Sequence, residues 1–221
     1  VSYVGHPLAD VFPLQPNRAG AREVLGIRAG TRVVAMLPGS RQSEVRNLAD
    51  NYIATAVRML ERDPALLFLV PLATRETRAI FQQALHRNLA TELPIRRLFG
   101  HAVEAMTAAD VVLVASGTAS LEAALLKRPM VITYRIGDWQ YRLMKRMAYL
   151  PWVGLPNILC RESLVPELLQ DDATPDKLAA ALEAWLSDAD RCAALEYRFT
   201  ELHLTLRQNT AQKAAEAILP Y

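Results

Sequence analysis

The sequence alternates between short, wholly apolar runs and longer segments in which apolar residues recur at helical spacing. The clearest runs are residues 33–37, 66–70 and 111–114. A short run without polar residues is typical of a strand that is covered on both faces, as in a parallel sheet. The first helical series that follows a run is Ala49, Ile53, Ala56 and Leu60. This alternation predicts βαβ units, and therefore an α/β fold with a Rossmann-like, doubly wound parallel sheet.

Weaker patterns complete the predicted order of elements. Helices are predicted over residues 19–25, 76–89, 102–108 and 119–126, and further strands over residues 95–99 and 130–134. In the helix at 76–89, Phe81, Leu85 and Leu89 share one apolar side. From Asp138 onward we predict only helices and loops, with helices over residues 177–186, 188–207 and 211–219. We therefore divide the chain into a sheet domain, residues 1–187, and C-terminal helices, residues 188–221.

Charge and cysteine content exclude several classes of protein. The chain has 25 basic and 23 acidic residues and a net charge of +2, so bulk charge does not favour nucleic acid as a partner. Cys160 and Cys192 cannot form a disulfide framework, and no His/Cys spacing resembles a zinc site, so we expect a reducing compartment and no metal. No apolar run approaches the roughly 18 residues of a membrane span. Because the sequence starts at Val1 without Met, we interpret it as a piece of a longer protein.

The loop after the first apolar run is the first candidate binding site, because ligands of open parallel sheets bind beyond the carboxyl ends of the strands. Gly39 allows close backbone approach, Ser40 supplies a hydroxyl, and Arg41 supplies several donors at the start of a helix. With Glu44 close behind, these residues suit a diphosphate. A turn capped by Ser40 with a solvated Arg41 explains the same residues equally well.

The loop after the run at 111–114 is the second candidate. Ser116, Gly117 and Thr118 keep the start of the next helix open, and Glu122 follows about one turn later. A carboxylate there can accept hydrogen bonds from a diol such as a ribose. Taken alone, this loop is better explained as an ordinary helix start, in which Glu122 favours the helix dipole. Two such loops from separate strands together favour a nucleotide-sugar site.

Two further regions carry weaker signals. The backbone of Phe99, Gly100 and His101 could contact a planar base, although a plain turn is the simpler interpretation. Residues 134–157 interleave aromatic with basic side chains, which suits an anionic lipid surface or an acyl-bearing phosphorylated ligand. The alternative is a helix packed on the domain with snorkelling cations. The residues concerned are Arg135, Trp139, Tyr141, Arg142, Lys145, Arg146, Tyr149 and Trp152, followed by the side-chain amide of Asn157.

Taken in order, these motifs resemble those of the lipid-A-disaccharide synthases over essentially the whole chain. The motifs are Tyr3-Val4-Gly5-His6-Pro7-Leu8-Ala9-Asp10, Leu37-Pro38-Gly39-Ser40-Arg41 with Glu44, Ala115-Ser116-Gly117-Thr118-Ala119 with Leu121-Glu122, Pro129-Met130-Val131 with Tyr134-Arg135, Leu155-Pro156-Asn157, and Glu201-Leu202-His203 with Arg207 and Asn209. A single motif of this kind would be weak, but the whole series in family order is highly specific.

The resemblance implies a GT-B glycosyltransferase. Members of this family transfer 2,3-diacylglucosamine from its UDP derivative to 2,3-diacylglucosamine 1-phosphate, with inversion and without a metal or other cofactor. The products are UDP and a β-1,6-linked disaccharide 1-phosphate. The enzymes are cytoplasmic and peripheral on the inner membrane of Gram-negative bacteria. These two lipid substrates and the inner-membrane surface are therefore the expected partners.

The resemblance covers only the C-terminal, UDP-binding part of the family. The general base is expected in the N-terminal half, so no catalytic residue is assigned and the chain alone is expected to be inactive. The implied roles are Ser40 and Arg41 on the diphosphate, the backbone of residues 99–101 near uracil, Thr118 or its neighbours on the phosphates, Glu122 on the ribose and Asn157 near the nucleotide. Gly39, Glu44, Ser116, Gly117 and Arg135 complete the candidate substrate-binding residues.

Three questions stay open at the level of sequence. Other GT-B enzymes, namely the peptidoglycan glucosaminyltransferase and the UDP-sugar 2-epimerases, share the expected fold and a ribose-binding glutamate. A nucleotide-binding module without activity of its own is the alternative from another class. The C-terminal helices are expected to cross to the N-terminal domain or a partner subunit. Their apolar face, formed by Leu195, Phe199, Leu202 and Leu206, lacks an obvious cover, which favours a homodimer. The alternative is a monomer in which these helices fold onto their own sheet.

Overall fold

The computed structural model describes residues 2–135 and 150–218, and these form one six-stranded parallel sheet flanked by helices. The strands are β1 (Val33–Leu37), β2 (Leu67–Leu72), β3 (Ile95–Phe99), β4 (Val111–Ala115), β5 (Met130–Tyr134) and β6 (Glu167–Leu169). Their order across the sheet is β3-β2-β1-β4-β5-β6. The chain thus winds outward in both directions from β1 and β4, which confirms the predicted doubly wound Rossmann-like fold.

The central strands are buried because their side chains are apolar on both faces. Every residue of β1 and β4 is buried. Val34 lies opposite Val111 and Leu37 opposite Val114, so β1 and β4 run side by side for their whole length. The loops that follow these two strands therefore begin next to each other, at the point where the order of the sheet reverses.

Helices cover both faces of this sheet. They are α1 (Pro7–Val11), α2 (Arg18–Val24), α3 (Gln42–Arg62), α4 (Arg75–Arg87), α5 (Ala102–Ala108), α6 (Thr118–Leu125), α7 (Leu155–Cys160), α8 (Pro175–Leu186), α9 (Ala189–Leu206) and α10 (Thr210–Ile218). The predicted apolar face of α3 is confirmed, because Ala49, Ile53 and Ala56 are buried. None of the helices among the described residues is both long and apolar enough to span a bilayer.

The structure differs from the sequence predictions at three places. The sequence predicted no strand after Tyr134, yet β6 pairs with β5, with Ile132 opposite Glu167. With only three residues, β6 is too short to show a period. Leu89 lies beyond α4 and is 92% exposed, because its left-handed backbone (φ 53°) ends the helix. Helix α1 was not predicted; it begins at Pro7, where the His6 Nδ1 accepts a hydrogen bond from the Leu8 N–H at 3.2 Å.

The C-terminal helices cover their apolar face within the chain. Helix α9 packs against α6 and α8, and its apolar residues are buried in the common core. These residues are Leu195, Phe199, Leu202 and Leu206. The expectation of an uncovered face was therefore wrong, and a homodimer stays a prediction. Whether α10 also contacts another domain stays a prediction.

The N-terminal segment holds the C-terminal helices in place. The Nε2 of buried His203 lies 2.8 Å from the carbonyl oxygen of Ala9, and burial lowers the pKa of this imidazole. The carboxylate of Asp10 accepts hydrogen bonds from the N–H groups of Asn209 (3.0 Å) and Thr210 (2.7 Å), where α10 begins. These bonds to Thr210 and Asn209 lower the pKa of Asp10. The two ends of the chain are thus packed together as part of one unit.

Candidate functional site

A cleft of about 450 Å³ lies beyond the carboxyl ends of β1 to β4. Its walls are the loop after β1, the end of β2, the loop after β3 and the loop after β4 with the first turns of α6. This is the position that the topology of an open parallel sheet predicts for a ligand. Both loops that the sequence singled out, residues 38–41 and 116–119, face each other across this cleft.

The β1–α3 loop is shaped by Glu44. Its Oε2 accepts hydrogen bonds from the N–H groups of Ser40 (3.0 Å) and Arg41 (3.1 Å), and its Oε1 pairs with the Arg41 Nη1 at 3.0 Å. Gly39 has φ +112°, and a Cβ built there would lie 2.3 Å from the Glu44 Oε2. A glycine is therefore required at this close approach.

The donors that this loop offers to the cleft come chiefly from side chains. The residue before α3 is Arg41, so the alternative in which Ser40 caps this helix is wrong. Because Glu44 already uses the N–H groups of Ser40 and Arg41, the loop offers chiefly side-chain donors to the cleft. These are the Ser40 hydroxyl and the remaining guanidinium N–H groups of Arg41, whose side chain is 80% exposed. A charged fork of this kind binds phosphate oxygens strongly.

The β4–α6 loop is open in a different way. The N–H groups of Gly117, Thr118 and Ala119 have no acceptor within the described part of the chain. Gly117 has φ +148°, and the position of its missing side chain is empty space. The Ser120 Oγ donates to the Gly117 carbonyl oxygen at 2.7 Å, which steadies the first turn. Unsatisfied N–H groups at a helix start form a site suited to an anion.

Glu122 lines the same cleft one turn into α6. Its carboxylate has no hydrogen-bond or ion-pair partner among residues 2–135 and 150–218. The side chain is half-buried, and this burial raises the pKa of the carboxyl group. A partly desolvated acceptor without a partner is suited to hydroxyl groups of a ligand. Thr118 precedes it by four residues and lies on the same face of the helix.

Of the three residues predicted in the loop after β3, Gly100 lines the cleft. Its N–H donates to the Leu72 carbonyl oxygen at 3.0 Å, which leaves only its carbonyl for a base. Phe99 is 55% exposed. His101 has a left-handed backbone (φ 55°), and its Nδ1 lies 3.6 Å from a carboxylate oxygen of Glu104. The side chains of Phe99 and His101 are not part of the cleft wall.

Asn157 has a structural role in this chain. It is fully buried; its Nδ2 donates to the Val165 carbonyl (2.9 Å) and to Glu167 Oε1 (2.8 Å). Its Oδ1 accepts from the N–H groups of Leu164 (2.9 Å) and Val165 (3.1 Å). The expectation that this amide is available to a nucleotide was therefore wrong. The amide instead braces the segment that leads into β6.

The remaining predicted residues lie away from the cleft or outside the described residues. Arg135 is exposed just beyond β5 and does not line the cleft. Trp139, Tyr141, Arg142, Lys145, Arg146 and Tyr149 fall outside the described ranges. The part of the chain that the structure describes contains no cluster of His, Cys, Asp and Glu that could hold a metal ion.

The cleft also has a wall that the sequence analysis missed. Pro71 and Leu72 of β2, with Ala73 beyond it, form an apolar side between the two candidate loops. These residues carry no polar side chain, so a search for chemical groups passed over them. The rule that ligands bind at the carboxyl ends of strands would have identified them, since β2 lies next to β1 in the sheet.

Comparison with known proteins places the chain in a family. A family model described as lipid-A-disaccharide synthetase matches residues 1–219. The chain belongs to this family. It is 75% identical over 221 residues to the lipid-A-disaccharide synthase of Azoarcus sp. (strain BH72), covering 100% of this chain and 56% of that protein. It is 58% identical to the enzyme of Methylobacillus flagellatus, covering 100% of this chain and 58% of that protein. The chain thus spans little more than half the length of these lipid-A-disaccharide synthases.

Solved structures show the same fold at low sequence identity. The glycosyltransferase WaaG, involved in lipopolysaccharide biosynthesis, superposes with a TM-score of 0.58 at 18% identity, over 92% of this chain and 51% of that one. The C-terminal domain of a group 1 glycosyltransferase (LpcC) from Francisella tularensis gives a TM-score of 0.59 at 16% identity, over 89% and 96%. The fold is therefore that of one Rossmann-like half of a GT-B glycosyltransferase.

Proposed function

We propose that this chain is the donor-binding half of a lipid-A-disaccharide synthase. The whole protein then transfers 2,3-diacylglucosamine from its UDP derivative to 2,3-diacylglucosamine 1-phosphate and releases UDP. Three features of one cleft support this proposal: the guanidinium of Arg41, the unsatisfied N–H groups that begin α6, and the unpartnered carboxylate of Glu122. Together they offer donors to a diphosphate and an acceptor to a ribose.

The diphosphate lies, in this proposal, between the two loops that face each other. Arg41 approaches from one wall, and the N–H groups of residues 117–119 approach from the other. Departure of UDP places negative charge on the phosphate oxygens, and a preorganised cation and N–H dipoles stabilise that charge as it develops. Because these donors serve the purpose of a divalent cation, we expect UDP to bind without magnesium.

Glu122 binds the ribose in this proposal, and the Gly100 carbonyl faces the base. A carboxylate accepts hydrogen bonds from two adjacent hydroxyl groups. The apolar wall of Pro71, Leu72 and Ala73 lies between these polar groups and excludes water from one side of the nucleotide. HepE of Anabaena, solved in complex with UDP and glucose, has the same fold (TM-score 0.57, 13% identity, over 92% of this chain and 52% of that one).

The general base is assigned to the remaining part of the protein. A base must lie within hydrogen-bond reach of the acceptor hydroxyl. Of the acids that line the cleft, Glu44 is engaged by its own loop and Glu122 is assigned to the ribose. We therefore expect no transferase turnover from the 221-residue chain alone.

The test is to measure UDP release with the chain and with the chain rejoined to the N-terminal half of its parent protein. Only the rejoined protein should turn over, with the diacylated donor preferred over soluble UDP-N-acetylglucosamine. Turnover by the chain alone at a comparable rate would contradict the assignment of the base. Preference for the soluble donor would favour another GT-B enzyme, such as a UDP-sugar 2-epimerase or the peptidoglycan glucosaminyltransferase.

We further propose a peripheral position on the cytoplasmic face of the inner membrane. Both proposed substrates carry acyl chains, and residues 134–152 interleave aromatic with basic side chains. Co-sedimentation with vesicles tests this. Binding should be stronger to anionic than to neutral vesicles and should fall when Arg142, Lys145 and Arg146 are replaced together by Ala. Equal sedimentation of this variant and the unaltered chain would contradict a role for this segment.

A further inference from the structure

Glu167, the first residue of β6, collects three hydrogen-bond donors from the segment before and within α7. Its Oε2 accepts from the Val153 N–H at 2.8 Å. Its Oε1 accepts from the Gly154 N–H at 3.0 Å and from the Asn157 Nδ2 at 2.8 Å. The side chain is half-buried, so loss of an acceptor here leaves a donor without a ready partner. The carboxylate therefore fixes the backbone at Val153.

Val153 is in turn bonded to the wall of the cleft. The Ser116 Oγ donates to the Val153 carbonyl oxygen at 3.0 Å, and the Ser116 N–H donates to the Thr133 carbonyl oxygen at 2.8 Å. The Ser116 hydroxyl has one hydrogen to donate and donates it to the Val153 carbonyl, so it cannot also donate to a phosphate. Ser116 therefore contributes to the cleft by fixing the β4–α6 loop at the position directly before Gly117.

These contacts form a short chain from β6 to the donor cleft. Glu167 holds the N–H of Val153, the carbonyl of Val153 holds the hydroxyl of Ser116, and Ser116 precedes the unsatisfied N–H groups of residues 117–119. Glu167 itself does not line the cleft. The peptide groups of Val153 link Glu167 to Ser116, which lies 51 positions earlier in the sequence. No local sequence pattern reveals this link.

We propose that Glu167 is a positioning residue for the β4–α6 loop and acts through Val153 and Ser116. This inference rests on the proposed function, because it takes the loop at 116–119 as the place where a nucleoside diphosphate binds. It assigns a role in ligand binding to a residue that does not touch the ligand. Glu167→Gln is a selective probe, because a side-chain amide keeps one oxygen and replaces the other by an NH₂ group.

We expect the glutamine oxygen to accept from the Gly154 N–H and the Asn157 Nδ2, because this orientation keeps two of the three hydrogen bonds. Its NH₂ group then lies against the Val153 N–H. The Val153 N–H then loses its acceptor and faces a second donor, while the other two contacts are kept. UDP affinity should fall by about three- to tenfold, the scale of one hydrogen bond. Ser116→Ala should give a similar loss, and the double variant should lose no more than the larger single loss. Additive losses in this cycle would contradict action through Ser116.

The matched control is Glu162→Gln, in the same region of the chain. Glu162 is exposed, and its Oε2 pairs with the Arg198 Nη2 at 2.8 Å. This variant should bind UDP as the unaltered chain does. A loss equal to that of Glu167→Gln would mean that the effect is not specific to the contact with Val153.

Amide NMR spectra test the same contacts without a ligand. Glu167→Gln should move the Gly117 amide signal, and Ser116→Ala should move the Val153 amide signal, because the contacts couple in both directions. An unmoved Gly117 signal in Glu167→Gln, or an unmoved Val153 signal in Ser116→Ala, would overturn the inference. If the unaltered chain does not bind UDP, the proposed function fails, while these signals still decide whether Glu167 positions the loop.

Discussion

The loops after β1 and β4 start side by side, and each leads into a helix, yet they present different groups to the cleft. In the β1–α3 loop, Glu44 accepts from the N–H groups of Ser40 and Arg41, and the side-chain donors of Ser40 and Arg41 remain, of which only the guanidinium is charged. In the β4–α6 loop, the backbone N–H groups remain, and no cation lies on the helix that follows. One wall therefore offers a charged side chain and the other offers backbone dipoles.

This difference predicts how each wall responds to mutation. A side-chain donor can be removed by one substitution, and its loss costs the strength of a charge-assisted hydrogen bond. Backbone donors cannot be removed in this way, and only a change of loop conformation affects them. Variants of the first loop should therefore act on ligand charge, and variants of the second on loop geometry.

The largest expected effect is that of Arg41→Ala. UDP affinity should fall by about 2 kcal/mol or more, since a charge-assisted bond to phosphate is lost. Calorimetric titration measures this loss. Arg46→Ala is the control, because Arg46 is exposed in the first turns of α3 and its Nη2 donates to the Gln42 Oε1 at 2.8 Å. Unchanged binding by Arg41→Ala would remove this side chain from the site and leave the cleft without a cationic donor.

The two loop glycines give the next effect and compare the loops directly. Gly39→Ala brings a Cβ against Glu44 and imposes a left-handed conformation, whereas Gly117→Ala meets open space and has only the backbone strain. Such strain costs about 1–2 kcal/mol at either position. Thermal unfolding should show the larger destabilisation for Gly39→Ala. Equal destabilisation would contradict the account in which Glu44 shapes the first loop by close contact.

Glu122→Gln should weaken UDP by about tenfold, the scale of hydrogen bonds to a charged acceptor. The loss should be smaller for 2′,3′-dideoxy-UDP, which lacks the ribose hydroxyl groups. This prediction separates the role of the carboxylate from that of the N–H groups on the same helix. Equal losses for both ligands would make Glu122 part of the helix structure and remove it from the ribose site.

The smallest expected effect is that of Glu122→Gln on the thermal stability of the chain without ligand. Burial raises the pKa of Glu122 above its ordinary value of 4.5, so the folded state binds more protons than the unfolded state between the two values. The contribution of Glu122 to the free energy of unfolding therefore falls as pH rises through that window. At neutral pH the ionised carboxylate still destabilises the folded state. Glu122→Gln should unfold at a higher temperature than the unaltered chain near neutral pH and at the same temperature below about pH 4. A variant that is less stable at neutral pH would show that the carboxylate has a stabilising partner.

The sequence predicted those parts of the fold that local patterns determine. Strands β1 and β4 are apolar on both faces, and the loops after them carried the chemistry that the structure brings to one cleft. β6 was missed because a three-residue edge strand is defined by its neighbour β5. The cover over Leu195 and Phe199 was missed for the same reason, since only tertiary packing decides what lies against an apolar face.

In the site, too, the sequence predicted local features and missed those that depend on tertiary contacts. Arg41, Gly117, Thr118 and Glu122 were identified because strand ends and helix starts are visible in the sequence. The internal use of Asn157 was not, because its partners Val165 and Glu167 are contacted only after the chain has folded. A polar residue in a loop looks the same in sequence whether it binds a ligand or braces its own backbone.

The most direct test of a diphosphate site between the β1–α3 and β4–α6 loops is a titration of the chain with UDP, UMP and uridine in the presence of a chelator. We expect UDP to bind without added magnesium, UMP to bind more weakly and uridine to bind weakest, because donors from both loops act on the phosphates. Added magnesium should leave the UDP affinity unchanged. Equal affinity for UDP and uridine, or UDP binding that requires magnesium, would contradict the proposal that Arg41 and the start of α6 hold the diphosphate.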